Sequence, residues 1–116
     1  MALGDLLTRQ WSGYGRAHAA KANLLLHAFA VPLFLLGNVT LLVGLIRMAL
    51  PHVIIGAAAM AVGLALQGKG HKIESVPPEP FTGPANAFAR LFLEQWVSFP
   101  RFVLSGEWFR ALKRAT

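Results

Sequence analysis

The chain contains no cysteine and few charged residues. Its 116 residues include five acidic residues and eleven lysines or arginines, so charged residues make up 14% of the sequence, against about 25% in soluble domains. The absence of cysteine excludes disulfide bonds, thiolate nucleophiles and metal sites built on cysteine. P-loop, GxGxxG and nucleophile-elbow motifs are also absent, which removes the common sequence signatures of nucleotide binding and serine hydrolysis.

Hydrophobic residues, in contrast, account for 55% of the chain, and a single domain of this size cannot bury so much apolar surface in its own interior. Residues 22–46 and 48–68 carry no formal charge, and Arg47 alone separates them. A helix needs about 20 apolar residues to cross a bilayer core of roughly 30 Å. We therefore predict an all-α membrane protein, a single domain with a transmembrane helical hairpin, residues 23–47 and 51–71, flanked by interfacial amphipathic helices.

The C-terminal third is predicted to lie on the membrane surface. Residues 75–84 contain four prolines and are expected to form a loop. Residues 84–116 are expected to form interfacial helices, with an apolar stripe facing lipid and with Arg90 and Glu94 on the opposite, polar face. Pro100 is predicted to break the first of these helices.

Lysines and arginines lie mainly outside the predicted hairpin. Residues 1–21, predicted as an interfacial helix, contain three of them, and the chain after residue 68 contains seven. The positive-inside rule then places both termini on the cytoplasmic side of the membrane. The expected membrane is the inner membrane if the protein is bacterial, or that of the endoplasmic reticulum if it is eukaryotic. Basic residues that flank apolar runs indicate contact with anionic membrane lipid, and no nucleic-acid partner is expected.

Histidines at the cytoplasmic ends of the predicted spans are the main candidates for chemistry. If the hairpin turns near residues 49–50, His27 and His71 lie at the same height, whereas His52 lies about 28 Å from His71 at the opposite surface. Asn23 is predicted to be the N-cap of the first span, and a bend there would bring His18 to the same place. Each of these histidines could also be an ordinary interfacial residue.

A carboxylate completes the candidate cluster. Gln67, His71 and Glu74 follow i, i+4, i+7 spacing and share one helical face. Histidines with a carboxylate and open coordination positions are typical of non-haem Fe(II) oxygen chemistry. Two alternatives stay open: Glu74 could pair with Lys72 or face water, and Tyr14 could be an interface anchor.

An ordered set of these residues resembles the Mpo1-like family, formerly a family of unknown function. The set is Tyr14-x3-His18-x4-Asn23-x3-His27-x4-Pro32 followed by Gln67-x2-Gly70-His71-x2-Glu74-x2-Pro77-Pro78, and the resemblance covers roughly residues 8–100. It implies an Fe(II)-dependent dioxygenase that uses O2 to remove one carbon from 2-hydroxy long-chain fatty acids. By resemblance, the iron ligands and catalytic residues would be His18, His27, His71 and Glu74. The candidate substrate-binding residues are Tyr14, Asn23, Gln67, Lys69 and Lys72, of which the lysines would attract the carboxylate by charge.

A non-enzymatic function is the alternative. A single hairpin leaves apolar faces uncovered, so the chain could be a small membrane scaffold or accessory subunit, and a homo-oligomer is possible. A transporter is disfavoured because the predicted hairpin offers no polar pathway across the membrane. Asn38 and Thr40 are the only polar side chains near the middle of the first span, and the middle of the second span has none.

Overall fold

A computed structural model describes residues 2–115, which form helices and, within that range, no β-strand. The all-α class predicted from the sequence is therefore confirmed. In chain order the helices are α1 (Leu3–Ala17), α2 (Lys21–Arg47), α3 (Leu50–Ile73), α4 (Pro84–Leu93), α5 (Phe99–Leu104) and α6 (Glu107–Ala115). A π-helical segment, Glu94–Ser98, lies between α4 and α5.

Helices α2 and α3 are long and apolar enough to cross a membrane, with mean hydropathies of 2.3 and 1.7 over their most apolar 18 residues. Only Met48 and Ala49 connect them. Met48 adopts a left-handed conformation with φ 54°, and the Ala49 N–H donates to the Gly44 carbonyl oxygen at 2.8 Å, which ends α2. Pro51 falls in the first turn of α3, where its missing N–H costs no helical hydrogen bond.

Glycines bring the backbones of α2 and α3 into direct contact. A Cβ atom on Gly56 would lie 2.5 Å from the Leu41 nitrogen and 2.6 Å from the Gly37 carbonyl oxygen. A Cβ atom on Gly63 would lie 2.9 Å from the Ala30 carbonyl oxygen. Because backbone atoms cannot move aside alone, any side chain at these positions would push the two helices apart.

We expect Gly56→Ala to lower the free energy of unfolding by about 1–3 kcal/mol, the usual cost of overpacking a close contact. Gly68→Ala is the matched control on the same helix, because nothing lies within 4 Å of its added Cβ. Alanine there should leave stability unchanged or raise it by up to about 1 kcal/mol. Denaturant unfolding of both variants in detergent measures the difference, and equal stabilities would contradict the packing of α2 on α3.

The outer faces of α2 and α3 remain apolar and uncovered. Only 33% of the most apolar window of α2 and 17% of that of α3 is buried. The core helix of a soluble domain would be buried along most of its length. Phe29, Leu36, Ile46, Ile54 and Ile55 are among the large side chains that are more than half exposed.

Helical backbone continues from Pro84 to Leu104, so the break predicted at Pro100 is wrong. The N–H of Phe99 donates to the Glu94 carbonyl oxygen five residues earlier, as in a π turn. Within a regular α-helix, Pro100 would clash with the carbonyl four residues before it and leave that group without a donor. The wider π turn immediately before the proline avoids this conflict.

The polar face of this helical stretch, predicted to lie opposite the apolar stripe, points into the protein. Glu94, Gln95 and Ser98 are 9%, 0% and 2% exposed, whereas Phe88 is 65% and Leu104 87% exposed. The reason is that the polar side chains find partners on α1 and α3. An apolar core connects α1, α2, α5 and α6. Its buried members are Tyr14, Leu24, Val31, Phe99, Phe102 and Ala111.

Candidate metal centre

Three histidines from three segments meet beside the polar face of the α4–α5 stretch. His18 follows the last residue of α1, His27 lies in the second turn of α2, and His71 lies in the last turn of α3. Their ring centroids are 4.7 Å (His18–His27), 4.7 Å (His18–His71) and 4.8 Å (His27–His71) apart. The ring planes are nearly perpendicular to one another, at 79–87°. The structure thus brings together the three histidines singled out from the sequence.

Glu94 supplies a carboxylate to the same point. Its Oε2 atom lies 3.0 Å from His18 Nε2 and 3.8 Å from His27 Nε2. One potential ligand atom from each of the four residues, His71 included, lies within 4.8 Å of the other three. Two ligand atoms at about 2.1 Å from one ion can be at most about 4.2 Å apart, so the widest pair would close by about half an ångström on binding. The group could therefore hold a metal ion.

The second ring nitrogens show that the imidazoles are held in place. His18 Nδ1 lies 2.7 Å from the Tyr14 carbonyl oxygen, and His27 Nδ1 lies 3.2 Å from the Asn23 carbonyl oxygen. Such bonds fix the ring orientation and the tautomer of metal-binding histidines. His27 Nε2 and His71 Nδ1 are buried without a hydrogen-bond partner. Buried polar atoms usually have partners, and a metal ion bound by these nitrogens would supply one.

The charge of Glu94 is stabilised by its neighbours. Burial by itself would raise the pKa of Glu94, but the hydrogen bond with His18 and the positive charge available on the three histidines hold that pKa well below its usual range. The carboxylate therefore stays ionised, as a metal ligand must be. A buried carboxylate beside three imidazoles suits a divalent cation. The cation would bind the ring nitrogens in place of protons and would balance the negative charge of the carboxylate.

Tyr14 lies directly against the cluster. Its ring stacks on the His18 ring, with centroids 3.8 Å apart and planes 11° apart, and its hydroxyl is buried without a partner. Burial, and after it the negative charge of Glu94, raises the pKa of the Tyr14 hydroxyl well above its usual value. Tyr14 is therefore a neutral hydrogen-bond donor beside the four candidate ligands and not a surface anchor.

Glu74, the carboxylate expected among the ligands, has another set of partners. Its Oε1 accepts hydrogen bonds from the Ala19 and Ala20 N–H groups at 3.1 and 3.0 Å, and its Oε2 accepts one from Asn23 Nδ2 at 2.8 Å. The carboxylate sits at the N-terminus of α2, where free N–H groups and the helix dipole favour an anion. Glu74 lies outside the group of four potential ligands, and Glu94 provides the carboxylate instead.

Asn23 is not the N-cap of α2, in contrast to the prediction. The helix begins at Lys21, two residues earlier than expected, and Asn23 is its third residue. Its amide nitrogen donates to the Ala17 carbonyl oxygen at 3.2 Å and to Glu74. A Cβ atom on Gly70 would lie only 2.1 Å from the Asn23 Oδ1 atom, so a side chain at position 70 would displace the Asn23 amide. Asn23 therefore maintains the bend that brings His18 to the cluster.

A cavity of about 1080 Å³ opens from the cluster towards α1 and the proline-rich loop, residues 76–83. Its lining includes the buried or partly buried side chains of Tyr14, His18, Gln67, His71 and Glu94. Most of the remaining wall is apolar, with members such as Leu3, Leu6, Leu64, Val76, Phe81 and Leu91.

Three arginines line the same cavity. Arg9 forms a salt bridge with Glu79 at 3.2 Å, and Arg90 donates to the Pro80 carbonyl oxygen at 3.1 Å, so both hold the loop in place. Arg16 is exposed. Lys69 and Lys72, predicted to attract a substrate, are exposed and do not line this cavity, because they lie on the other side of α3 from Gln67 and His71.

No known protein family, curated protein or solved structure matches this chain. The chemistry of the site follows from its donor atoms. Three imidazoles and one carboxylate suit iron, zinc or copper more than calcium or magnesium, which prefer oxygen ligands. His52 contributes nothing to this set, since it lies at the opposite end of α3, where its Cβ faces Gly44.

Proposed function

We propose that this protein is an Fe(II)-dependent dioxygenase that removes one carbon from 2-hydroxy long-chain fatty acids within a membrane. The observation that carries the proposal is the buried group of His18, His27, His71 and Glu94, of which all but His27 line a largely apolar cavity. The resemblance of the histidine motifs to the Mpo1-like family supplies the metal and the reaction class.

The uncovered faces of α2 and α3 support a membrane location. Large aliphatic and aromatic side chains cover these faces, and both helices have the length that a bilayer core requires. We propose that α2 and α3 are a transmembrane hairpin, with α1 and α4–α6 at the cytoplasmic interface. The distribution of lysines and arginines supports cytoplasmic termini. The acyl chain of a substrate then reaches the cavity directly from the lipid.

Bound Fe(II) would supply the electron-transfer chemistry between O2 and the substrate. Overall, a 2-hydroxy acid and O2 yield the acid one carbon shorter, CO2 and water: the C1–C2 bond breaks, four electrons pass to O2, and C2 becomes the new carboxyl carbon. Four protein donors leave coordination positions free for substrate oxygens. The Tyr14 hydroxyl is placed to donate a hydrogen bond to a substrate oxygen, and Arg16 attracts the carboxylate towards the cavity.

The test is turnover by purified protein reconstituted anaerobically with Fe(II). Addition of 2-hydroxypalmitic acid and O2 should give pentadecanoic acid and one CO2 per O2 consumed. Palmitic acid is the matched control and should give no product, because it lacks the 2-hydroxyl group. A protein that keeps its iron but consumes no O2 with any 2-hydroxy acid would contradict the proposed reaction.

A non-catalytic membrane scaffold is the second candidate. The exposed apolar faces of α2 and α3 favour it, since a partner or a second copy of this chain could cover them as well as lipid does. Wild-type protein that binds no metal after reconstitution would favour this function over the dioxygenase.

A further inference from the structure

Two glutamine side chains form a closed pair beside the candidate metal centre. The Gln67 amide nitrogen donates to Gln95 Oε1 at 2.8 Å, and the Gln95 amide nitrogen donates to Gln67 Oε1 at 2.7 Å. The two residues are 3% and 0% exposed. Because each amide both donates to the other and accepts from it, the pair fixes the distance and orientation of two backbone segments.

These two segments carry His71 and Glu94. Gln67 lies one turn before His71 on α3, so the two side chains share a face of that helix. Gln95 directly follows Glu94 in the π segment. The Glu94 carboxylate is hydrogen-bonded to His18 Nε2, which is itself a candidate ligand atom. A metal ion would compete with this hydrogen bond for the same carboxylate and ring nitrogen atoms. The position of the Glu94 carboxylate therefore depends on how the surrounding backbone is held.

The other side-chain hydrogen bonds of the π segment lie farther from the candidate ligands. The Trp96 indole donates to Asn38 Oδ1 at 3.1 Å, but Asn38 lies eleven residues, or about 16 Å, along α2 from His27. The Ser98 hydroxyl is hydrogen-bonded to Gln10, two turns before His18. Apart from the Glu94–His18 bond, Gln95 makes the side-chain hydrogen bond of the π segment that lies nearest to a ligand-bearing turn.

We propose that the Gln67–Gln95 pair is the positioning element that holds the Glu94 carboxylate in the donor set of the metal centre. Neither glutamine is a ligand; the pair acts by setting the register of the π segment against α3. The inference rests on the proposed metal site and identifies the residues that position its fourth ligand, Glu94.

The test combines Gln67→Met, Gln95→Met and the double variant. Co(II) titration of the metal-free protein in detergent measures affinity, the visible spectrum of Co(II) reports its ligands, and circular dichroism gives the unfolding temperature. Each single variant leaves a buried amide unpaired and should unfold at lower temperature, whereas the double variant should recover because no amide is left unpaired. Co(II) affinity should fall by about 10–100-fold in all three variants, as when a partner of a metal ligand is lost.

The double variant separates positioning from simple stabilisation. We expect its Co(II) spectrum to shift towards that of Glu94→Gln, although its stability recovers. Recovery of both stability and Co(II) affinity would overturn the proposal. Asn38→Leu, which removes the contact with Trp96, should lower the unfolding temperature and leave Co(II) affinity unchanged; an equal loss of affinity there would also overturn it. Wild-type protein that binds no Co(II) would refute the metal site itself and the positioning role with it.

Discussion

Replacement of any one of His18, His27 or His71 by alanine, or of Glu94 by glutamine, should remove most of the bound metal. The four residues come from four separate segments, so no remaining pair of neighbours can substitute for the missing donor. Loss of a partner behind a ligand already lowers affinity about 10–100-fold, and loss of a ligand itself should exceed about 100-fold.

Metal content after Fe(II) reconstitution and desalting measures this effect, with circular dichroism to confirm that each variant is folded. His52→Ala is the control, because His52 lies at the far end of α3 and should bind metal as the wild type does. Full metal content in all three histidine variants would show that the cluster is only a packed group of imidazoles.

Glu74→Gln should lower the free energy of unfolding by about 2–4 kcal/mol, while the folded protein should keep most of its metal because all four candidate ligands remain. The Glu74 carboxylate accepts hydrogen bonds from two backbone N–H groups and from Asn23, and it is 9% exposed. An amide can offer only one oxygen to these three donors, of which the Asn23 amide is buried and the two N–H groups are partly buried, and a buried donor left unpaired costs about 1–3 kcal/mol.

Glu79→Gln is the matched control for this charge removal. Glu79 forms an exposed salt bridge with Arg9, in which the two side chains are 66% and 55% exposed, and such pairs contribute about 0–1 kcal/mol. Equilibrium denaturation of both variants gives the comparison. If Glu74→Gln instead loses metal at unchanged stability, Glu74 is a ligand, as the family resemblance implies, and its contacts with α2 are secondary.

The sequence is sufficient to place the histidines. Uncharged runs define two long helices joined by a short connection near residues 49–50. The position of each residue along the hairpin can therefore be estimated from its distance in sequence to this turn. His27 and His71 are expected at the same level, and their ring centroids lie 4.8 Å apart. Periodicity and counting work here because both helices are regular over many turns. The helix starts are less accurate: Asn23 is a good N-cap by residue type, but a carboxylate fifty-one residues later in the chain takes that place.

Glu94 could not be placed in the same way. Between Glu74 and Glu94 the chain passes through a proline-rich loop, which has no period from which a distance could be counted. A π turn then changes the helical phase, so a helical wheel drawn at 100° per residue does not describe the residues around Gln95 and Ser98. One signal was present: Glu94, Gln95 and Ser98 lie close together within residues 91–100, which are otherwise apolar, and this is costly unless they have internal partners.

The α4–α5 stretch buries Glu94, Gln95 and Ser98 while Phe88 and Leu104 stay exposed, an unusual arrangement for a water-soluble protein, although Phe99 and Phe102 of the same stretch pack into the apolar core. In water the hydrophobic effect would favour Phe88 and Leu104 turned in and Glu94 solvated. In a bilayer interface the same preference acts in the opposite direction and presses the carboxylate onto the histidines. If the stretch lies at a membrane interface, as proposed, the surrounding lipid helps to hold Glu94 beside the histidines, and the choice of detergent should affect whether the isolated protein keeps its fourth candidate ligand.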